Sequence, residues 1–475
     1  MAEILTPDIC VIGAGAGGLS VAAAAAVFGV PVVLIEKGRL GGECLYTGCV
    51  PSKALIAAAK RAHGIAEAEA FGVSAGPATI DFAKVRRRVH DVIAAIAPND
   101  SKERFTGLGV RVIEAAARFK DRATVMAGDG TEIKARRFVI ATGSSPSLPP
   151  IPGLHAVPYL TNETIFDLAA LPEHLIIIGG GPIGLELAQA FRRLGAAVTV
   201  LEAAEPLSSE DPECADVVLD ALTRDGVDIR SHVAIVRVER EGAKLSVVIR
   251  EGEGERRIAG SHLLVAAGRT ANTEGLGLEQ AGIACDARGI VVDKGLKTTN
   301  RRVYAIGDVA GHGQFTHLAN HQAGLVIRNA LFRLPAAMNA DTVPRVTFTD
   351  PELAQVGLTE AQARARGSAI RVLRWPYHEN DRAQVEGATV GHIKLVTDRR
   401  GKVLGATIVG AGAGELITTW ALAIAKRSNI STFLGIIIPY PTLAEIGKRA
   451  AMTYFSPGLT SLWVRRIIAL LRRFG

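Results

Sequence analysis

The sequence predicts an α/β protein: two Rossmann-like dinucleotide-binding domains and a C-terminal α+β domain. Two observations carry this. A glycine fingerprint set between strand, helix and strand occurs twice, and each copy is closed by an acid at the same spacing. The chain also has 475 residues, more than one core fills, which points to about three domains.

Bulk composition narrows the class. With 48% hydrophobic and 21% charged residues, the chain reads as an ordinary folded protein. The net charge of +7 comes without any long lysine or arginine run, so no nucleic-acid partner is expected. Five cysteines do not make a secreted disulfide framework. The start, MAEILTPDIC, has no basic region before an apolar one, and a cytoplasmic location is expected. Ile9 to Ile35 is uncharged and long enough to pass as a membrane span. Its glycines and Pro31 favour strand, turn, helix and strand buried in an α/β layer instead.

The first unit, DICVIGAGAGGLSVAAAAAVFGVPVVLIEKG, begins with an apolar strand. The turn Gly13-x-Gly15-x-x-Gly18 follows, then a small-residue helix and a second strand ending at Glu36. Such glycines let backbone approach a pyrophosphate at a helix N-terminus, while the acid accepts from ribose hydroxyls. HLIIIGGGPIGLELAQAFRRLGAAVTVLEAAE repeats the unit, with Gly179, Gly181 and Gly184 closed by Glu202. Two fingerprints imply two dinucleotides. A carboxylate at 202, followed by Ala203, Ala204 and Glu205 with no arginine close behind, suits a free 2′-hydroxyl and predicts NADH over NADPH. Further punctuation fits the pattern. VIATGSSPSLPPIPG ends a strand at Gly143 and leads into a proline-rich connector. LLVAAGRTAN ends another at Gly268, and VYAIGDVAG places Asp308 at a strand tip.

GGECLYTGCVPSK holds Cys44 and Cys49. Zinc needs two more ligands, and no second cysteine pair exists. A static staple across four residues constrains little chain. A helix start and Lys53 both favour thiolate, which fits a redox pair. Cys10, Cys214 and Cys285 are isolated and read as structural. The scattered histidines 312, 317, 321, 378 and 392 show no metal-ligand pattern, and no metal site is expected.

Together these segments resemble the flavin-dependent pyridine nucleotide–disulfide oxidoreductases, which include dihydrolipoamide dehydrogenase, glutathione reductase and mercuric reductase. The resemblance runs from Ile9 to about Tyr454, and GGECLYTGCVPSK is its most specific piece. It implies FAD on the first unit (Gly13, Gly15, Gly18, Glu36, Gly143) and the nicotinamide nucleotide on the second (Gly179, Gly181, Gly184, Glu202, Gly268). It implies that Asp308 bonds the flavin ribityl chain and that His317, in FTHLANHQAG, neighbours the flavin. Cys44 would be the exchange thiol and Cys49 the flavin-side thiol, with Lys53 near flavin N5 and paired with Glu186. The implied domains are 1–150 and 271–342 for FAD, 151–270 for the nicotinamide nucleotide, and 343–475 for homodimerisation.

One departure stands out. Relatives such as dihydrolipoamide dehydrogenase carry a histidine before Pro-Thr, oriented by a glutamate. Here IIIPYPTLAEIGKRAA places Tyr440 in that position, with Glu445 at the glutamate position. A phenol, with a pKa of about 10, does not do the proton work of an imidazole at neutral pH. Tyrosine at this place is similar to mercuric reductase, yet the chain ends without the vicinal cysteines typical of that enzyme. The expected activity is therefore transfer of electrons from NADH through FAD and Cys44–Cys49 to a small-molecule acceptor, as in a mercuric-reductase-like enzyme. The alternatives are dihydrolipoamide dehydrogenase and a membrane-peripheral flavoprotein that reduces a quinone. Residues 459–475 interleave apolar side chains with arginines, a pattern that suits peripheral membrane contact or a dimer partner.

Overall fold

The computed structural model describes residues 3–128, 130–242, 244–252, 254–367, 369–459 and 461–474. The chain divides into two compact units. One comprises Met1–Gly179, Arg193–Ala197 and Ala234–Ala340, and the other Gly180–Arg192, Val198–Val233 and Asp341–Gly475.

The charge-free run resolves into β1 (Ile9–Ile12), α1 (Ala16–Val27) and β2 (Val32–Glu36). With β3 (Arg111–Glu114), β4 (Arg137–Ile140) and β5 (Val303–Ala305) these strands form a five-stranded sheet in the order β5-β4-β1-β2-β3. All its pairings are parallel. Strand alternation divides the core. Ile9, Val11, Leu34 and Val139 pack with Leu19, Ala22, Val326 and Ile327 on one face. Cys10, Ile12, Val33, Ile35 and Phe138 pack with Phe119 and Ile133 on the other. Both faces are covered, so these strands read as continuous apolar runs rather than alternating ones. Cys10 is fully buried, and burial pushes its thiol pKa up, which suits an inert core residue. Among the described residues no helix is long and apolar enough to cross a membrane.

α2 (Gly42–Tyr46) carries Cys44, and α3 (Cys49–Glu67) begins on Cys49. α4 (Thr316–Ala330) packs on α1 through small residues. A side chain at Gly17 would come within 3.3 Å of the Ala319 Cβ. The same unit also holds the parallel pair His174–Ile178 and His262–Val265.

In the other unit, the helix Pro182–Arg193 follows the second glycine turn, and Ala197–Leu201 pairs in parallel with Asp228–Arg230. Its C-terminal part is a five-stranded antiparallel sheet with the helices Ala413–Ala425 and Glu445–Thr453. Trp420 stacks on Phe433 at 4.4 Å in the core beneath it. One ion cluster ties the helix Pro212–Arg224 to this sheet. Lys394, only 6% exposed, lies 2.9 Å from Asp211 and 3.0 Å from both Glu213 and Glu360. Burial works against its charge, but hydrogen bonds to the three carboxylates outweigh it and raise the ammonium pKa. Arg374 and then Lys394 pull Glu213 down to about 2. Cys214 is buried beside the cluster, 3.4 Å from Nε2 of His392, where burial pushes its pKa up.

Candidate active site

The two glycine turns are built alike. Gly13 and Gly179 have φ of +104° and +115°, and an added Cβ would lie 2.4 Å from a carbonyl oxygen, Ala141 in one copy and Ala266 in the other. Only glycine fits there. Gly18 is equally constrained, since a Cβ would fall 1.9 Å from the Gly13 oxygen. At Gly15 and Gly181 a Cβ would meet nothing within 4 Å, which leaves the approach to each helix start open. The closing acids match too. Glu36 accepts from Ala14 N–H at 2.6 Å and Gly38 N–H at 2.7 Å. Glu202 accepts from Gly180 N–H at 2.6 Å and Ala204 N–H at 2.8 Å. Each carboxylate is thus fixed at its turn with lone pairs left over for ribose hydroxyls. The likeness reaches one step further. Gly41 N–H donates to the Ala14 carbonyl at 2.9 Å, and Leu207 N–H donates to the Gly180 carbonyl at 3.1 Å, both donors having positive φ. An open glycine cradle, a helix start and an anchored acid fit a dinucleotide at both turns.

The cysteines are positioned from the first turn. Gly41 is bonded to it, and Gly42 lies so close that a Cβ would approach Gly15 Cα to 2.8 Å. Gly48 leaves no room either, with the Glu43 oxygen 3.0 Å from a would-be Cβ. This packing explains the glycine pair before Cys44. Cys44 and Cys49 are thiols here, and their side chains are hydrogen-bonded. That bond, with burial, raises the Cys44 pKa. The helix start and Lys53, expected to favour thiolate, are thus opposed at Cys44 by the neighbouring sulfur and by burial. Cys49 Sγ lies 3.4 Å from the Thr316 hydroxyl, at the first residue of α4. His317, the next residue, stacks on Phe315.

A polar network absent from the sequence expectations surrounds this loop. Glu43 is ion-paired with Arg269 and accepts from Asn162 Nδ2 at 2.6 Å. The same Asn162 nitrogen donates to the Thr47 carbonyl at 3.2 Å, bracketing the loop between the cysteines. Arg269 Nε donates to Ser144 Oγ at 2.8 Å, and Ser144 donates to Asp308 at 2.6 Å. Burial raises the pKa of both Glu43 and Asp308, and Arg269 opposes the rise at each. Gly143 and Gly268 flank this network with positive φ and open space at the Cβ position. The one signal available in the sequence was the acid inside GGEC; nothing local pointed to Arg269.

Lys53 lies in α3, one turn after Cys49, and the remaining expected residues lie in the other unit. Glu186 is buried and accepts from Phe348 N–H at 2.8 Å. Gly184 is buried in the helix that follows the second turn. Tyr440 is 70% exposed and donates to Asp381 at 2.8 Å, a bond that raises its pKa, with Glu445 adding to the rise. The direct partner is thus Asp381, on a different segment from the expected Glu445. Among the described residues no group of three or more histidine, cysteine or acidic side chains could hold a metal ion.

Duplicated dinucleotide cradles, with a cysteine pair built onto the first, define a flavin- and nicotinamide-dependent disulfide oxidoreductase. The chain belongs to the pyridine nucleotide-disulphide oxidoreductases. Residues 7–323 match that family and residues 343–451 match its dimerisation domain. The family uses FAD and NAD(P)H, and the matched dimerisation domain supports a homodimer. The chain is 37% identical to mercuric reductase from Streptomyces lividans over 456 residues, 94% of this chain and 96% of that one. It is 35% identical to dihydrolipoyl dehydrogenase from Geobacillus stearothermophilus over 452 residues, 94% and 95% of the two chains. Among solved structures, the HOCl-induced flavoprotein disulfide reductase RclA from Escherichia coli, as a Cu(II) complex, superposes with a TM-score of 0.83. It is 30% identical and matches 93% of this chain and 98% of its own. LpdA from Mycobacterium tuberculosis gives 0.86 at 29% identity, matching 94% and 99%.

Proposed function

We propose that the protein is an NADH-dependent reductase in which Cys44 and Cys49 alternate between disulfide and dithiol and deliver two electrons to a small thiophilic acceptor. The observation that carries this reading is the hydrogen-bonded Cys44–Cys49 pair, packed onto the first glycine turn and beside Thr316. Bound FAD supplies the two-electron relay between the nicotinamide and the sulfurs. Glycines 13, 15 and 18 with Glu36 would hold it, and Asp308, which accepts from Ser144 Oγ at 2.6 Å, would bind its ribityl chain. On reduction the S–S bond breaks and both sulfurs gain an electron. Cys44 takes a proton that Cys49 helps to hold, which leaves Cys49 as the thiolate. On re-oxidation Cys44 gives up that proton to solvent and bonds the acceptor; the Cys49 thiolate then attacks the Cys44 sulfur, forming the S–S bond and releasing the acceptor with the electron pair of the broken Cys44–acceptor bond.

Glu202 supports NADH, because its fixed carboxylate repels a 2′-phosphate. Tyr440, with its pKa raised by Asp381, does not deprotonate a dithiol substrate at neutral pH, so dihydrolipoamide is disfavoured. Hg(II), which takes both electrons, and Cu(II), of which two ions take one each, are carried by the names of a relative and a structural neighbour and are the first acceptors to assay.

The test is anaerobic titration of the flavoprotein with NADH, followed by addition of each acceptor. A long-wavelength charge-transfer band that the acceptor discharges is expected, with Cys49→Ser losing the band and Cys44→Ser losing acceptor reduction. Full acceptor turnover in the Cys44→Ser, Cys49→Ser double variant would overturn the reading.

A further inference from the structure

The matched dimerisation domain ends at 451, and a further helix, Leu462–Leu471, follows it. We propose that this helix docks the protein on an anionic lipid bilayer. No residue of the helix is buried, and Trp463 and Phe474 are 75% and 81% exposed. Arg465 and Arg466 lie on the helix and Arg472 and Arg473 directly follow it; continued at 3.6 residues per turn, the four fall within an arc of about 120° that also holds Leu462. Trp463, Ile467, Ile468, Leu470, Leu471 and Phe474 occupy the opposite side. Leu459 belongs to the same apolar set by sequence, but its side chain, with Thr460 and Gly475, lies outside the described residues.

Charge complementarity selects the occupant. No aspartate or glutamate occurs after Glu445, whereas Lys448, Arg449 and the four tail arginines do. An apolar stripe bordered only by cations fits a surface that is apolar inside and anionic at its rim. Ser461 caps the helix, accepting from Val464 N–H at 3.3 Å, so the helix start is fixed within the tail itself. With 10 residues the helix is too short to span a bilayer and lies in its plane. The arginine stems reach up to the headgroup phosphates while Trp463 and Phe474 enter the acyl boundary. This inference stands apart from the electron-transfer reading, since it rests on no cysteine and no cofactor.

The test uses the full-length holoenzyme with vesicles of phosphatidylcholine alone and of phosphatidylcholine with about one-third phosphatidylglycerol. Sedimentation with the anionic vesicles only is expected, weakening as salt rises and accompanied by a blue shift of Trp463 emission that Trp463→Phe removes. Each arginine changed to glutamine should lower the partition coefficient about fivefold, with FAD absorbance unchanged. Two results overturn the proposal. In one, the wild type stays in the supernatant with anionic vesicles. In the other, the R465Q/R466Q/R472Q/R473Q variant turns monomeric while the wild type is a dimer, which would assign the helix to the partner subunit. The salt dependence and Trp463 emission of the wild type decide the matter even if that variant does not fold.

Discussion

Glu43, the residue before Cys44, is ion-paired with Arg269, whose guanidinium also lies 3.9 Å from Asp308. One cation, with its side chain 8% exposed, thus serves the carboxylate beside the cysteines and the carboxylate assigned to the ribityl chain. Removing one member of such a pair leaves the other buried and uncompensated. A double-mutant cycle of Glu43→Gln and Arg269→Ala, read by urea unfolding, is expected to give a coupling of about 1–3 kcal/mol. A coupling below about 0.5 kcal/mol would show that the pair does not hold the loop.

Nicotinamide choice tests the second turn. Glu202 is bound to Gly180 N–H and Ala204 N–H, which fixes its carboxylate at the second turn. Glu202→Ala should narrow the NADH-to-NADPH ratio of kcat/KM by about tenfold or more, equivalent to about 1.4 kcal/mol. An unchanged ratio would place the discrimination elsewhere.

Tyr440 tests substrate class. Tyr440→His puts a group titrating near 6.5 beside Asp381. Dihydrolipoamide oxidation by NAD should rise by about tenfold or more near pH 8, with a new ionisation in its pH profile. Equal activity in both proteins would remove the argument against a lipoyl substrate.

The buried ion cluster makes stability depend on pH. Glu213 titrates at about 2 in the folded chain against 4.5 normally, so its contribution is present above 4.5 and lost as pH falls towards 2. The side chain is 40% exposed, which limits the contribution to about 1–2 kcal/mol after solvent screening. Glu213→Gln should therefore be less stable than wild type by that amount at pH 7. The gap in unfolding free energy should close between pH 4.5 and 2, and a gap independent of pH would contradict the assignment.

The parts of the site that were legible in the sequence are those held by local geometry. Gly13, Gly18 and Glu36 are fixed by one strand–turn–helix–strand unit, so their spacing alone revealed them. Cys44 and Cys49 stood out by their local motif, and their roles came from the family resemblance that it carries. Arg269 lies 226 positions from Glu43, and Thr316 lies 267 from Cys49. Their meeting depends on how distant strand ends converge, which no window of sequence records. Tyr440 was singled out by what it replaces, but its partner Asp381, 59 positions away on another segment, was invisible for the same reason. The effect of the neighbouring sulfur on Cys44 was likewise not weighed in the sequence, where only the helix start and the lysine were considered.

The matched bonds to Ala14 and Gly180 carry a consequence for how such a molecule arises. The two cradles agree through Gly41 in one copy and Leu207 in the other, and diverge immediately afterwards. In the first copy the next residue is Gly42, which opens the short helix bearing Cys44. The reactive sulfurs therefore occupy the first point at which one copy of a doubled plan is free to differ. The loop from 42 to 49 is therefore where the two copies part, and it stays tied to its own turn by the close approach of Gly42 to Gly15 and to the strand ends by the Glu43–Arg269 pair.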